Sequence, residues 1–264
     1  MGEIRDWKFP FGQPVQDVVQ MDRKPKKVFV LGVYSSAVHA RWMSAENKTI
    51  VNALAVASEP YIFWRGDNTN TIIWQLAIPP ELGKLSPADS QFNGPSGIAL
   101  DELILKPLGL ERIDTWLCDL VPHSCVNSSQ KAAIERAYIP VAKTFGLPQH
   151  TVPFLPSHLT NEKRRNEILD ELSESKSSIL VLLGDKPIEW FLRHFDDRWH
   201  KLSDFGYEEK AYGRLWSAHI DGKEITVLPL AHPRQIAKLG QSSVIWYDLH
   251  KAWINKYASK LLLN

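Results

Sequence analysis

Two stretches place an acid or a histidine where an apolar run breaks off. Trp116-Leu117-Cys118-Asp119-Leu120-Val121-Pro122-His123-Ser124-Cys125 reads as a short buried strand that carries Asp119 near its end, and Pro122 stops its continuation. Glu224 to Ala231 is a second such run, and it delivers His232-Pro233-Arg234-Gln235. A carboxylate and an imidazole are the groups for acid–base work and for hydrogen bonding a polar ligand. In an open α/β sheet, ligands are held outside the carboxyl ends of the strands, where these residues fall. The same residues also serve as helix caps, loop histidines and solvated charges, so local sequence alone leaves both roles open.

Other chemistries fit less well. Gly32-Val33-Tyr34-Ser35-Ser36 follows a strand but is neither G-x-G-x-x-G nor a phosphate loop with lysine. Ser35 and Ser36 lack the flanking glycines of a serine-hydrolase elbow. Cys118 and Cys125 are the only cysteines, which excludes a four-cysteine zinc or iron–sulfur site and implies no disulfide framework. His123 and His232 with carboxylates leave a zinc site open, yet no ligand pair stands at the usual spacing on one element. No metal or other cofactor is expected.

The elements that must position these residues alternate. Lys27–Gly32, the run through Trp116, Ser178–Asp185 and Glu224–Ala231 read as four strands. Thr49–Ser58 is a further β-rich run, with Ala45–Lys48 before it as a hairpin turn. Ile98–Leu108, Ser128–Tyr138 with Ser128 as N-cap, Asn161–Ser173 and Ser242–Leu262 read as helices. In the last, Trp246, Leu249, Trp253, Tyr257 and Leu261 share a face at core spacing. The pattern predicts residues 27–264 as a single α/β domain around a mostly parallel four-stranded sheet, with a hairpin insertion near Thr49. Residues 1–26 are expected to form an irregular surface arm.

The 264 residues, 44% hydrophobic and 23% charged, suffice for a full core. The net charge of +1 excludes whole-molecule attraction to nucleic acid, so any such binding needs local patches. The basic runs Arg23-Lys24-Pro25-Lys26-Lys27 and Lys163-Arg164-Arg165 are available, although such runs are more often solvated surface. No apolar signal core and no spanning segment stand in the chain, so the expectation is a cytoplasmic monomer without a membrane or protein partner.

The order of the pieces resembles the uracil-DNA glycosylase superfamily. A strand ending in Gly-x-x-x-Ser comes first, then Asn93-Gly94-Pro95-Ser96-Gly97-Ile98-Ala99-Leu100-Asp101-Glu102-Leu103, then a strand with a polar residue, then a strand ending in His-Pro. The resemblance runs from Lys27 to Trp253 and is greatest to the iron–sulfur, thermostable-type branch. It implies a three-layer αβα fold and DNA as the partner. Asp119 takes the place of the asparagine that reads a flipped base, and His232 that of the histidine that stabilises the leaving base. Pro233, Arg234, Gln235 and Ile236 match the loop that enters the duplex, with Ile236 as the wedge. Gly94, Pro95, Ser96 and Gly97 match the turn that approaches a DNA phosphate. Tyr34, Ser35 and Ser36 fall in the pocket-lining motif, and His123 stands about where a cluster cysteine would sit. The other cluster ligands are absent. No Asp, Asn or Glu occupies Gly32–Ser36, so the usual water-activating residue is missing. Glu59 and Asp67, flanking the aromatic segment Tyr61–Trp64, are alternative acids, as is Asp119 itself, with Trp64 as a candidate pocket wall.

Asp119 sharpens the expectation. Asparagine both donates and accepts along the uracil edge, whereas an ionised aspartate only accepts and repels O4. A protonated Asp119 would accept from the N4 amino group of a cytosine-type base and donate to its N3. The expected activity is therefore excision of a modified cytosine-type base, with defence against phage carrying such DNA as a setting. The alternatives are a catalytically inactive DNA- or base-binding protein, a uracil or hypoxanthine repair glycosylase, and a hydrolase of free nucleosides or nucleotides.

Overall fold

A computed structural model of the chain describes residues 6–239 and 244–262. They group into two units that interleave along the sequence. Unit 1 takes Met1–Val18, Tyr34–Pro95 and Pro122–Ser157; unit 2 takes Val19–Val33, Ser96–Val121 and His158–Asn264.

Unit 2 carries the α/β sheet. Its strands are β1 (Val28–Tyr34), β5 (Thr115–Val121), β6 (Ile179–Leu183), β7 (Trp216–Ile220) and β8 (Lys223–Leu230), in the order β5-β1-β6-β8-β7. β1 pairs in parallel with β6, and β6 with β8, so these three strands end on one edge. Every residue of β5 is buried, as are most of β1 and β6, which explains their unbroken apolar runs: strands covered on both faces do not alternate. The sheet has five strands where four were expected. The fifth, β7, is antiparallel to β8 across Asp221-Gly222, both with positive φ. Asp-Gly at a two-residue connection is the strongest short hairpin signal, and the buried–exposed alternation of β7 marks an edge strand with one wet face.

The helix Glu162–Ser175 packs on β5, and its N-cap Asn161 accepts a hydrogen bond from the Arg164 amide at 2.9 Å. The last long helix is Val244–Lys256 and a single tight turn follows at Ala258–Lys260, so the expected continuous helix to Leu262 is interrupted at Tyr257. Ser242 and Ser243 of that expectation lie outside the described residues. Of its expected core face only Trp253 is fully buried, and the other four side chains are half-buried.

Unit 1 is built on a three-stranded antiparallel sheet, β2 (Ala37–Met43), β3 (Thr49–Ser58) and β4 (Lys84–Pro87), ordered β3-β2-β4. The expected hairpin turn is present between β2 and β3, closed by the Ser44 amide donating to the Lys48 carbonyl. The arm read as surface is instead part of this core. Phe9 and Phe11 are buried, Phe11 meets Trp42 and Tyr138 edge-on, and its amide donates to the Tyr138 hydroxyl. A short polar segment with two phenylalanines gains more by burying them than by remaining solvated. The helix Ser128–Ala133 is capped by Asn127, one residue before the expected Ser128, through its side chain and the Gln130 amide.

Candidate functional site

β8 ends at Leu230, and two residues later His232 begins the short helix Pro233–Ile236. Proline at the first helical position costs no hydrogen bond, and His232 caps the turn in both directions. Its Nδ1 accepts the Arg234 amide at 3.2 Å, while its own amide donates to Gln235 Oε1 at 3.1 Å. Burial of the ring, with the charge of Arg234 as a smaller cause, pushes the His232 pKa down to about 4. The imidazole is therefore neutral at pH 7. Because Nδ1 is occupied as an acceptor, the one ring proton sits on Nε2, and His232 presents a single N–H donor of fixed tautomer. Gly184, just after β6, has φ of 83°, and a Cβ there would lie 3.1 Å from His232 Cβ. Its glycine is what lets the two strand ends approach.

A second histidine anchors this loop from behind. The Ala231 amide donates to the Tyr212 hydroxyl at 3.0 Å. Tyr212 lies 2.8 Å from His250 Nδ1, and His250 Nε2 lies 2.8 Å from the Leu103 carbonyl. A carbonyl only accepts, so Nε2 must carry the His250 proton and Nδ1 must accept from Tyr212. Every group in this buried chain is satisfied in one direction. Burial depresses the His250 pKa to about 4 and holds the Tyr212 phenol well above its usual range, so both are neutral. Sequence reasoning passed over both, because His250 and Tyr212 look like ordinary members of an aromatic core face.

The end of β5 is held differently. Asp119 is 3% exposed. Arg164, from the helix Glu162–Ser175, donates to the Asp119 carbonyl at 2.7 Å, the Leu120 carbonyl at 3.3 Å and Cys118 Sγ at 3.2 Å. Its other arm meets Glu167 and Glu171, and Glu171 also accepts from Trp116 Nε1 at 2.9 Å. Burial pushes the Cys118 thiol pKa up, which keeps it protonated and unreactive. The two basic runs are thus largely used inside unit 2. Arg23 pairs with Glu174 and stacks on the Trp116 ring, Lys26 is buried against Asp22 and the Ile113 carbonyl, and Lys27 pairs with Asp114.

Of the remaining unit 2 candidates, Ser96 and Gly97 lie in the first turn of the helix Pro95–Leu100. Pro233 is buried, Gln235 half-buried and Arg234 exposed. Ile236 is only 1% exposed, so it does not protrude as a wedge here; it is a core residue of its own short helix.

Unit 1 holds the other candidates. Trp64 is buried with its Nε1 donating to the Asp67 carbonyl, a core residue rather than an open platform. Asp67 is exposed and accepts from the Tyr61 hydroxyl at 2.6 Å, whereas Glu59 is buried. Gly94 has φ of +80°, and a Cβ there would fall 2.0 Å from the Arg65 carbonyl carbon, so its glycine is required by close backbone packing. Pro95 follows it at the start of the helix. His123 meets Trp7 edge-on at 4.8 Å and pairs through its backbone with Asp17. Tyr34 is half-buried at the end of β1, and the Ser36 carbonyl accepts from the Ser124 hydroxyl. Ser35 is fully buried, and among the described residues its hydroxyl has no hydrogen-bond partner. Phe63, missed in the sequence, holds φ of 52° while buried, a strained conformation of the kind that concentrates at functional positions.

Among the described residues no group of three or more His, Cys, Asp or Glu side chains is arranged to hold a metal ion, and no helix is long and apolar enough to cross a membrane. Compared with known proteins, the sequence matches no protein-family model and no curated relative.

Proposed function

We propose that the chain is a DNA glycosylase, a divergent member of the uracil-DNA glycosylase superfamily with its three-layer fold, which excises a modified cytosine-type base. The observation that carries this is the neutral, tautomerically fixed His232, whose Nε2–H is the donor a departing base needs. In the reaction, water adds to C1′ as the C1′–N1 bond breaks. The base leaves with the bonding electron pair, and the His232 proton hydrogen bonds to the oxygen on which negative charge grows. A neutral donor suits this step, since desolvation of the half-buried ring disfavours an imidazolium.

Asp119 supplies the specificity. Recognition of a cytosine-type edge requires the carboxyl to hold a proton, donating to N3 and accepting from N4. The residue is buried, 3% exposed. The candidates for the water-activating acid are Glu59, Asp67 and Asp119 itself. Removal of modified bases from phage DNA is the setting this specificity suits.

A second reading is a binder without catalysis, favoured by the lack of any Asp, Asn or Glu in Gly32–Ser36. Single-turnover cleavage of duplexes carrying uracil, hypoxanthine, 5-hydroxymethylcytosine or its glucosylated form separates these. The expected result is cleavage of a modified cytosine and little of uracil. Cleavage of uracil alone overturns the specificity, while tight binding with no cleavage of any duplex favours the second reading.

A further inference from the structure

We propose that an open cavity in unit 2, between the Lys210–Leu215 segment and the end of the Val244–Lys256 helix with its following turn, binds a multiply charged phosphate ligand. The cavity encloses about 400 Å³, and Lys210, Arg214, Lys256 and Lys260 all line it with no carboxylate among the lining residues. Lys256 is paired with Glu209. Lys210, Arg214 and Lys260 have no ion-pair partner among the described residues.

Three uncompensated cations around one hollow repel one another, and exposed side chains ordinarily relieve such repulsion by spreading apart. Here the backbone between two of them is pinned. Gly213 adopts φ of +65°, and a Cβ at that position would lie 2.4 Å from the Trp253 ring. The buried Trp253 donates its indole N–H to the Gly213 carbonyl at 2.9 Å. Tyr212, one residue earlier, is tied through its hydroxyl to Ala231 and His250. Lys210 and Arg214 are therefore presented from a rigid strip towards Lys256 and Lys260 on the facing element.

The charge and its geometry select the ligand class. Ammonium groups serve as point charges for phosphate oxygens, and a guanidinium adds a two-pronged donor. A single monoanion would leave most of this charge uncompensated, whereas adjacent phosphates would not. The source is either a nucleic-acid backbone or a free polyphosphate or nucleotide, which share this chemistry. Phosphate binding here does not depend on the glycosylase reading, because none of the cavity's cations belongs to the site at the strand ends.

The test titrates the full-length protein with inorganic tripolyphosphate, ADP and an unmodified duplex, by calorimetry and fluorescence anisotropy. Lys210→Glu with Arg214→Glu, and separately Lys260→Gln, are compared with Lys223→Glu, an exposed cation outside the cavity. Saturable binding is expected, weakened at least about tenfold by the double reversal and less by Lys260→Gln. For the duplex, the salt slope should fall by about 0.9 for each phosphate no longer neutralised. The Lys260→Gln variant should melt no lower than wild type without ligand, since it removes repulsion, so its weaker binding does not reflect unfolding. Binding of tripolyphosphate and ADP only assigns a free ligand; binding of duplex only assigns a strand. No binding of any probe, or weakening no greater than that caused by Lys223→Glu, overturns the proposal.

Discussion

At the end of β8 the structure holds side chains, and at the end of β5 it holds backbone carbonyls. His232 has its ring orientation, tautomer and charge state set by the Arg234 amide and by burial, and Ala231 behind it is fastened to Tyr212. Arg164 instead grips the carbonyls of Asp119 and Leu120. A donor for charge that develops in a transition state must be preorganised. The contrast is between an end held through a side chain and an end held through its backbone; in the proposed reaction the first would be the catalytic end and the second the reading end.

The largest expected effect comes from releasing the β5 end. Arg164→Met strips the clamp and leaves Glu171 without its buried guanidinium, so unfolding stability should fall by about 3–5 kcal/mol. Urea denaturation measures it, and a decrease below about 1 kcal/mol would show that the strand end needs no clamp. At the β8 end, His232→Ala should lower the excision rate by about 10²–10³ with duplex affinity nearly unchanged. An equal fall in affinity and rate would reduce His232 to a binding group.

Acid tests the same end through His250. Its folded pKa of about 4 lies below the unfolded value of 6.5, so the unfolded chain takes up the proton first. The stabilisation is fully present above pH 6.5 and is lost as pH falls through about 4, for a total of about 3 kcal/mol. Denaturation between pH 7 and pH 4 should show this slope, to which His232, with the same depressed pKa, adds a second contribution of the same sign. Tyr212→Phe should cost about 1–3 kcal/mol at pH 7, because the Ala231 amide and His250 Nδ1 lose their partner. The smallest effect on stability belongs to Asp119→Asn, under about 1 kcal/mol for a change of similar shape that keeps the Arg164 hydrogen bond. Its preference should nevertheless shift towards uracil, measured by cleavage of paired substrates. An unchanged preference would sever the link between this position and base choice.

Much of the sheet was legible. Unbroken apolar runs at β1, β5, β6 and β8 marked buried strands because strands covered on both faces need no polar alternation. β7 was also signalled, by Asp221-Gly222, yet it is short and half wet. At the candidate site the residue types were visible at the strand ends, but their states were not. Nothing in His-Pro-Arg-Gln says that Nδ1 will accept the Arg234 amide, although the capping geometry follows once proline starts a helix there. Arg164 stands in a basic run that resembles solvated surface. Its inward turn depends on β5 lying beneath the helix, with carbonyls in need of donors.

What the sequence by itself determined about this protein is therefore local: which segments extend, where they stop, and which side chains stand at the stops. Those features follow from neighbour spacing and from the steric demands of proline and glycine. Only the tertiary structure decided which charges face inward, that Phe9 and Phe11 complete a core, and that Tyr212 and His250 stand behind His232. Each of those outcomes joins residues tens of positions apart. The free energy of desolvating a ring or an ion depends on what the whole fold brings against it, and short-range spacing carries no record of that.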